Sequence, residues 1–178
     1  DMQAARLSVE NGETDAFLQT SFGYADFKRL KENTKLNVFT NAFAGLGIVD
    51  YIEFNLRKAP FSDVRVRKAI AHAIDRKFLV EKFQGGVTQP LEGPLPPDHP
   101  FATKDIQHYA YDLKETNRIL DEAGYKPDAN GVRFKATIDA PTYSPDGLAR
   151  VADWLKPQLK KIGIELDRRV SPDTATWA

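Results

Sequence analysis

The chain contains no cysteine, and this absence excludes a disulfide framework, a cysteine nucleophile and a thiolate-bound zinc site. It also lacks any apolar run near the ~20 residues that cross a bilayer. Neither sign of charge is in excess, because 25 Lys and Arg balance 25 Asp and Glu. Nucleic acids and anionic membrane surfaces attract basic proteins, so this balance argues against both as partners.

The composition is that of a folded globular domain. Hydrophobic residues make up 42% of the 178 residues and charged residues 28%, and both values are far from those of disordered chains. The first residues lack the basic segment and apolar core of a signal peptide. Since the chain begins inside a helical pattern and stops abruptly at Trp177–Ala178, we interpret it as a segment of a longer protein.

Helical and strand periodicities alternate along the chain and predict a mixed α/β fold without a strict βαβ repeat. Pro157 is expected to kink or split the helix that contains it. The predicted helices cover 1–11, 24–31, 63–74, 75–83, 112–123 and 144–162. The predicted strands cover 15–18, an antiparallel pair within 36–40 and 48–55, 134–138 and 164–170. Residues 85–112 form a long loop rich in Pro and Gly, and such loops are usually functional or held against another domain.

Several helix boundaries carry local signals. Asp63 and Asp75 each precede a helical pattern as an N-cap residue, and Asp112-x-x-Glu115 is a variant of the capping box. Gly124 and Gly163 follow helices at the position that favours a left-handed backbone. These signals predict where helices begin and end.

Catalytic and metal-binding patterns are weak. Three pairs of His and Asp are spaced closely enough to be considered as metal ligands, but pairs of this kind are common by chance and structural roles are favoured. The sequence has no G-x-S-x-G elbow and no distinctive pair of carboxylates for acid/base chemistry. We therefore expect no enzyme activity, no metal and no cofactor. The three pairs are His72 with Asp75, Asp98 with His99, and Asp105 with His108.

Three basic clusters lie at Arg65–Lys68, Lys160–Lys161 and Arg168–Arg169. They could contact phosphate groups, or they could be solvated faces of helices and strand ends. The balanced net charge favours the second interpretation, and Asp63 could pair with Arg65 or Arg67.

The most specific pattern is FNLRKAPFSDVRVRKAI at 54–70, followed by AIDR at 73–76. It strongly resembles the signature of the extracellular solute-binding proteins of family 5, the ligand-binding components of ABC importers for oligopeptides, dipeptides and nickel. Further segments match motifs of this family in the same order, so the resemblance covers nearly the whole chain. They are Glu10–Asp15, Gly93–Pro97, Leu120–Tyr125 and Leu159–Ile164.

The resemblance implies one lobe of a two-lobed periplasmic-binding-protein clamp, similar to the third domain of a dipeptide-binding protein. Such clamps close on a ligand by hinge motion. Residues 1–178 would be a truncated C-terminal lobe, without the first lobe and without the ligand-anchoring gW-x-a-D segment. The implied partners are a peptide or small-molecule ligand, the first lobe and an ABC permease in the membrane. The implied location is the periplasm, or the cell surface through a lipoprotein anchor.

The resemblance also suggests which residues face the ligand. In the family, the segment before the FN motif approaches the ligand, which here places Thr40, Asn41 and Phe43 near it. The end of the strand after Phe134 and the following loop also face the cleft, and there Asp139 and Tyr143 are candidates. Polar and main-chain groups could pair with an extended peptide, while aromatic rings supply apolar walls.

The sequence does not separate several possible functions. Peptide is the expected ligand, but nickel chelates, opines, sugars and heme occur in the same family. A solute-sensing domain of a transcription regulator would have the same pattern, and a small α/β enzyme is a more remote alternative. An isolated lobe is expected to fold but to bind peptide poorly.

Overall fold

A computed structural model describes residues 2–17, 24–39, 49–83, 85–86, 88–97, 99–140 and 147–169. Helices and strands are mixed along these residues, which confirms the α/β fold class. None of the described helices is both long and apolar enough to span a membrane. The helices are α1 (Met2–Glu10), α2 (Tyr24–Glu32), α3 (Val64–Ala73), α4 (Arg76–Phe83), α5 (Leu113–Glu122) and α6 (Leu148–Lys160). The strands are β1 (Phe134–Asp139) and β2 (Ile164–Arg169).

The two strands pair in parallel, with Phe134 opposite Ile164 and Asp139 opposite Arg169. α6 connects them and packs on β2, so β1, α6 and β2 form one βαβ unit. Because side chains alternate along a strand, one face of the pair is apolar and lies against the core. The other face carries cross-strand ion pairs, including Lys135 with Glu165 at 3.0 Å.

The core lies where α3, α5 and the end of α6 meet the apolar face of the strands. Parallel strands bury apolar side chains under helices, and this removal of surface from water is the main stabilising term. Its buried members are Val66, Ala69, Ile70, Ala73, Leu120, Leu159, Ile162 and Ile164.

α3 and α5 are also joined by polar contacts across the long loop between them. The Asp112 N–H donates to the His72 carbonyl at 2.9 Å. The buried Thr116 hydroxyl lies 2.7 Å from the Asp112 carbonyl and 3.3 Å from the Ala69 carbonyl. These contacts therefore close the segment that contains α4 and the long loop.

α1 and α2 are connected mainly by charged side chains. Arg6 is buried and lies 2.8 Å from Glu10 and 3.1 Å from Asp26. Glu10 is also 2.8 Å from Arg29, so one carboxylate bridges both helices. A buried guanidinium needs such partners, because an unpaired buried charge is strongly unfavourable.

The predicted N-caps are confirmed. The carboxylate of Asp63 accepts from the Arg65 N–H at 2.8 Å, and that of Asp75 accepts from the Phe78 N–H at 2.9 Å. Asp112 accepts from the N–H groups of Lys114 and Glu115 at 2.8 and 3.0 Å.

Only half of the capping box forms at Asp112. Glu115 pairs with Arg118 at 2.6 Å instead of returning to the cap residue. The Asp112 N–H already donates to His72 in α3, so the tertiary contact replaces the local one.

The strands predicted near the beginning of the chain are wrong for the described residues. Residues 15–17, 36–39 and 49–55 have no strand pairing, while 18 and 40–48 lie outside the described part. Alternating residues favour an extended backbone, but a strand also needs a partner and a buried face. Phe39 and Tyr51 are 77% and 76% exposed, so no apolar face is buried at these two residues.

Pro157 does not split α6, which runs without a break from Leu148 to Lys160. Proline removes one backbone hydrogen bond, and the buried side chains of Leu155 and Leu159 on both sides of it stabilise the helical path. The helix has Gly147 at its N-cap, without a side-chain cap. The start predicted at Ser144–Pro145 lies outside the described residues.

Substitution of the Asp63 cap tests the start of α3. We expect Asp63→Ala to lower the midpoint of thermal unfolding by about 2–4 °C, because the Arg65 N–H loses its acceptor. Asp63→Asn keeps an acceptor oxygen and loses only the ion pair with the Arg65 side chain, so its effect should be smaller. Calorimetry of the two variants checks this order, and equal losses would show that the ion pair rather than the cap stabilises the helix.

Candidate functional site

An apolar groove lies between α3, α4 and α6 and the segments 49–54 and 88–94, with a cavity volume of about 650 Å³. Its walls bring together side chains that are distant in sequence, so the groove exists only in the folded chain. The helical lining residues are Arg67, Ile70, Ala71, Ile74, Arg76, Leu79, Val80, Leu148, Val151 and Leu155.

The volume and lining of the apolar groove are those of small-molecule sites, which are mainly apolar with a few polar groups. Two guanidiniums in the lining are held by backbone carbonyls. Arg67 Nη1 donates to the Phe61 carbonyl at 2.7 Å, and Arg76 Nη1 donates to the Tyr109 carbonyl at 3.1 Å. These bonds fix the loops before α3 and α5 to the walls of the groove.

The second polar feature is the strand edge, formed by Asp139 at the end of β1 and Arg169 at the end of β2. Arg169 Nε donates to Asp139 Oδ1 at 2.7 Å, and Nη2 donates to Oδ2. The pair is bidentate, which fixes the plane of the guanidinium. In α/β sheets, ligands bind outside the carboxyl ends of parallel strands, and the strand edge is at that end.

Of the residues predicted to face the ligand, the structure places Asp139 at the strand edge. Thr40, Asn41, Phe43 and Tyr143 lie outside the described residues.

Two parts of this site have no clear signal in the sequence. Arg169 was considered only as a member of a basic cluster, and its pairing with Asp139 depends on the register of two strands 30 residues apart. The groove residues of α3 and α6 were predicted as apolar helix faces. The alternation of side chains along β2 is the one sequence signal that separates the two arginines, because it places Arg169 and Arg168 on opposite faces of the strand.

The His and Asp pairs considered as metal ligands have other contacts. His72 Nδ1 lies 2.7 Å from the Ala110 carbonyl, and Asp75 caps α4. His99 Nδ1 accepts from the Phe101 N–H at 3.2 Å, and His108 contacts Glu92. Within the described ranges, no three His, Cys, Asp or Glu side chains are grouped as a metal site, and Asp98 lies outside these ranges.

Members of the basic clusters pair within the chain. Arg65 binds the Asp63 carboxylate at 2.7 Å, while Arg67 donates to backbone carbonyls instead. Arg168 reaches Asp153 on α6 at 3.1 Å. These intramolecular partners argue against phosphate contacts by Arg65, Arg67 and Arg168.

The strand edge makes a prediction for titration. Hydrogen bonds from Arg169 hold the pKa of the Asp139 carboxyl below its ordinary value of 3.8, and partial burial opposes them only in part. Since the folded pKa is lower than the unfolded one, the pair stabilises the fold above about pH 4, and this contribution is lost as the pH falls through the folded pKa.

We expect Arg169→Gln to raise the pKa of Asp139 towards the ordinary value, as measured by NMR titration of the carboxyl carbon. Lys135→Gln, which removes a pair at the other end of the same strands, is the control and should leave the pKa of Asp139 unchanged. An unchanged pKa in Arg169→Gln would contradict the pairing.

Comparison with known proteins places this geometry in a family. The sequence model of "Bacterial extracellular solute-binding proteins, family 5 Middle" matches residues 1–178. Heme-binding protein A of Haemophilus influenzae is 34% identical over 86% of the chain and 26% of its own length. The dipeptide-binding protein of Escherichia coli is 26% identical over 79% of the chain and 25% of its own length. The chain thus spans about a quarter of the length of these relatives.

Solved structures show the same fold. A periplasmic binding protein, DppA, from Helicobacter pylori in complex with the peptide STSA has a TM-score of 0.75 and 24% identity, over 99% of this chain and 32% of its own. NikA from Brucella suis in complex with Fe(III)-EDTA has a TM-score of 0.77 and 19% identity, over 99% and 36%. With the match of the family model over all 178 residues, the chain belongs to the bacterial extracellular solute-binding proteins of family 5.

Proposed function

We propose that this chain forms most of one lobe of the substrate-binding component of an ABC importer, and that the whole protein captures a peptide outside the cytoplasmic membrane for import. The observation that carries the proposal is the family match over residues 1–178. The remaining length of the relatives leaves room for the other lobe, so the ligand would be enclosed between two parts of one protein. An ABC permease would then receive the peptide.

Peptide is proposed over the other ligands of the family because a peptide-binding relative matches more of the chain than heme-binding protein A does, 99% against 86%. A putative ABC transporter peptide-binding protein of Brucella ovis is 28% identical over 99% of the chain. The apolar groove supports this choice, since it offers walls for apolar side chains. The strand edge offers the charged side chains of Asp139 and Arg169 for the peptide's polar atoms.

The location proposed for the whole protein is the periplasm, or the outer surface of the membrane through a lipid anchor. A binding protein in this location needs no catalytic group, and its function is to hold the solute and release it to the permease.

The test is the identification of ligands that purify with the natural full-length protein. We expect native mass spectrometry to detect bound peptides, and calorimetry to show binding of synthetic peptides of the same length. A bound heme or nickel chelate in place of peptide would contradict the peptide assignment. Residues 1–178 alone serve as the control, and millimolar or tighter binding by this chain would contradict the need for a second lobe.

A further inference from the structure

We infer that Arg169 binds a carboxylate group of the solute and that Asp139 is its positioning residue. The inference rests on the proposed function and names a chemical class for its ligand: a peptide with a free carboxyl terminus, or another organic acid.

The position of the pair is the first argument. β1 and β2 are parallel, and the register places Asp139 opposite Arg169 at their carboxyl ends. Ligands of α/β proteins collect at this end of the strands, because the loops that follow them open there. Lys135 and Glu165 form a similar pair on the same face, but they lie at the opposite, amino end.

The guanidinium of Arg169 is bound along one of its two donor edges. Its Nε and Nη2 atoms donate to the two carboxylate oxygens of Asp139, which occupies one edge of the group. Nη1 makes no hydrogen bond to any of the described residues. The edge formed by Nη1 and the second N–H of Nη2 is therefore without a partner among these residues, and that edge matches the two oxygens of a carboxylate.

Arg169 is exposed to solvent and is held in one orientation. The Arg169 side chain is 70% exposed, whereas that of Asp139 is 33% exposed. The donor is thus accessible to solvent while the carboxylate that orients it is half-buried. An arginine held in this way loses less conformational entropy when it binds a ligand.

Two other exposed or half-exposed arginines have different settings. Arg118 donates through Nε, Nη1 and Nη2 to Glu115 and Glu122. Arg168, the neighbour of Arg169, is directed to Asp153 on α6. Arg168 uses only Nε for this contact, but alternation places it on the face of β2 opposite to Arg169. Arg169 therefore differs from Arg118 in having an open donor edge, and from Arg168 in lying opposite Asp139 at the carboxyl ends of the strands.

The experiment measures, in the natural full-length protein, binding of tripeptides with a free carboxyl terminus, of the same tripeptides as carboxy-terminal amides, and of succinate. In wild type, calorimetry should show that the free-carboxyl tripeptides bind about 10-fold more tightly than the amides. Arg169→Gln should abolish this preference, and Asp139→Asn should reduce it without changing the fold. Binding of succinate that also depends on Arg169 would assign the site to organic acids in general.

Lys135→Gln is the matched control, because it removes a cross-strand charge of the same face and should keep the preference for free carboxylates. Equal binding of peptides and amides in wild type would overturn the inference, as would a preference that survives Arg169→Gln. A protein that binds only a solute without a carboxylate would overturn it too, while solute capture itself would stand. A protein that binds no solute at all would contradict the proposed function.

Discussion

Gly163→Ala is expected to lower the free energy of unfolding by about 2–5 kcal/mol, with two separable causes. The backbone φ angle of Gly163 is +77°, a conformation that costs about 1–2 kcal/mol for a residue with a Cβ. A Cβ at this position would also lie 2.7 Å from the Gly131 carbonyl oxygen and 2.9 Å from Arg133 Cγ. The Gly131 carbonyl belongs to the backbone and cannot rotate away as a side chain can. The clash is therefore relieved only if the segment after α6 shifts relative to the segment before β1.

Gly124→Ala is the matched control for this prediction. Gly124 has a φ angle of +89°, and a Cβ there would have nothing within 4 Å. This variant should therefore lose only the backbone part, about 1–2 kcal/mol. Urea unfolding followed by circular dichroism gives both values, and equal losses would show that the close approach at Gly163 has no energetic effect.

Arg133→Met is expected to destabilise the fold by about 2–4 kcal/mol. The Arg133 side chain is 6% exposed and joins three groups near the end of α5. Its guanidinium donates to Asn117 Oδ1 at 3.0 Å, to Asp121 Oδ1 at 2.5 Å and to the Tyr125 carbonyl. Methionine keeps most of the aliphatic contact, so the loss reports the hydrogen bonds and the acceptors left without a donor.

Arg118→Met is the control for Arg133→Met, since Arg118 is also bound to carboxylates but is 55% exposed. Exposed ion pairs contribute little, because water and salt screen them. Chemical unfolding of both variants should show a large loss for Arg133→Met and little change for Arg118→Met. Similar losses would mean that burial does not distinguish the two arginines.

The fold could be predicted from sequence where the signal was local. Asp63, Asp75 and Asp112 were identified as N-caps because a capping side chain binds backbone only two or three residues away. Gly163 was identified because few other residues adopt its backbone conformation. The antiparallel pair predicted within 36–55 was wrong for the described residues, since alternation does not specify a partner strand.

The candidate site was less predictable because it depends on contacts between distant segments. The resemblance to family 5 directed attention to the end of β1, and so to Asp139. Nothing near Arg169 in sequence indicates that it would pair with Asp139, because the register of β1 and β2 is set by α6 and the core. The apolar groove likewise needs α3, α4 and α6 to be packed before it exists.

The backbone bond between Asp112 and His72 has a consequence for how this protein can diverge. It closes the segment that contains α4 and the long Pro- and Gly-rich loop, so the contact between α3 and α5 is held by a bond outside that loop. Lengthening a closed loop is inexpensive, since each doubling adds only about 0.6 kcal/mol of closure entropy. Insertions and deletions can therefore accumulate between residues 88 and 110 while the scaffold is preserved, and the loop wall of the groove can evolve faster than the helices that support it.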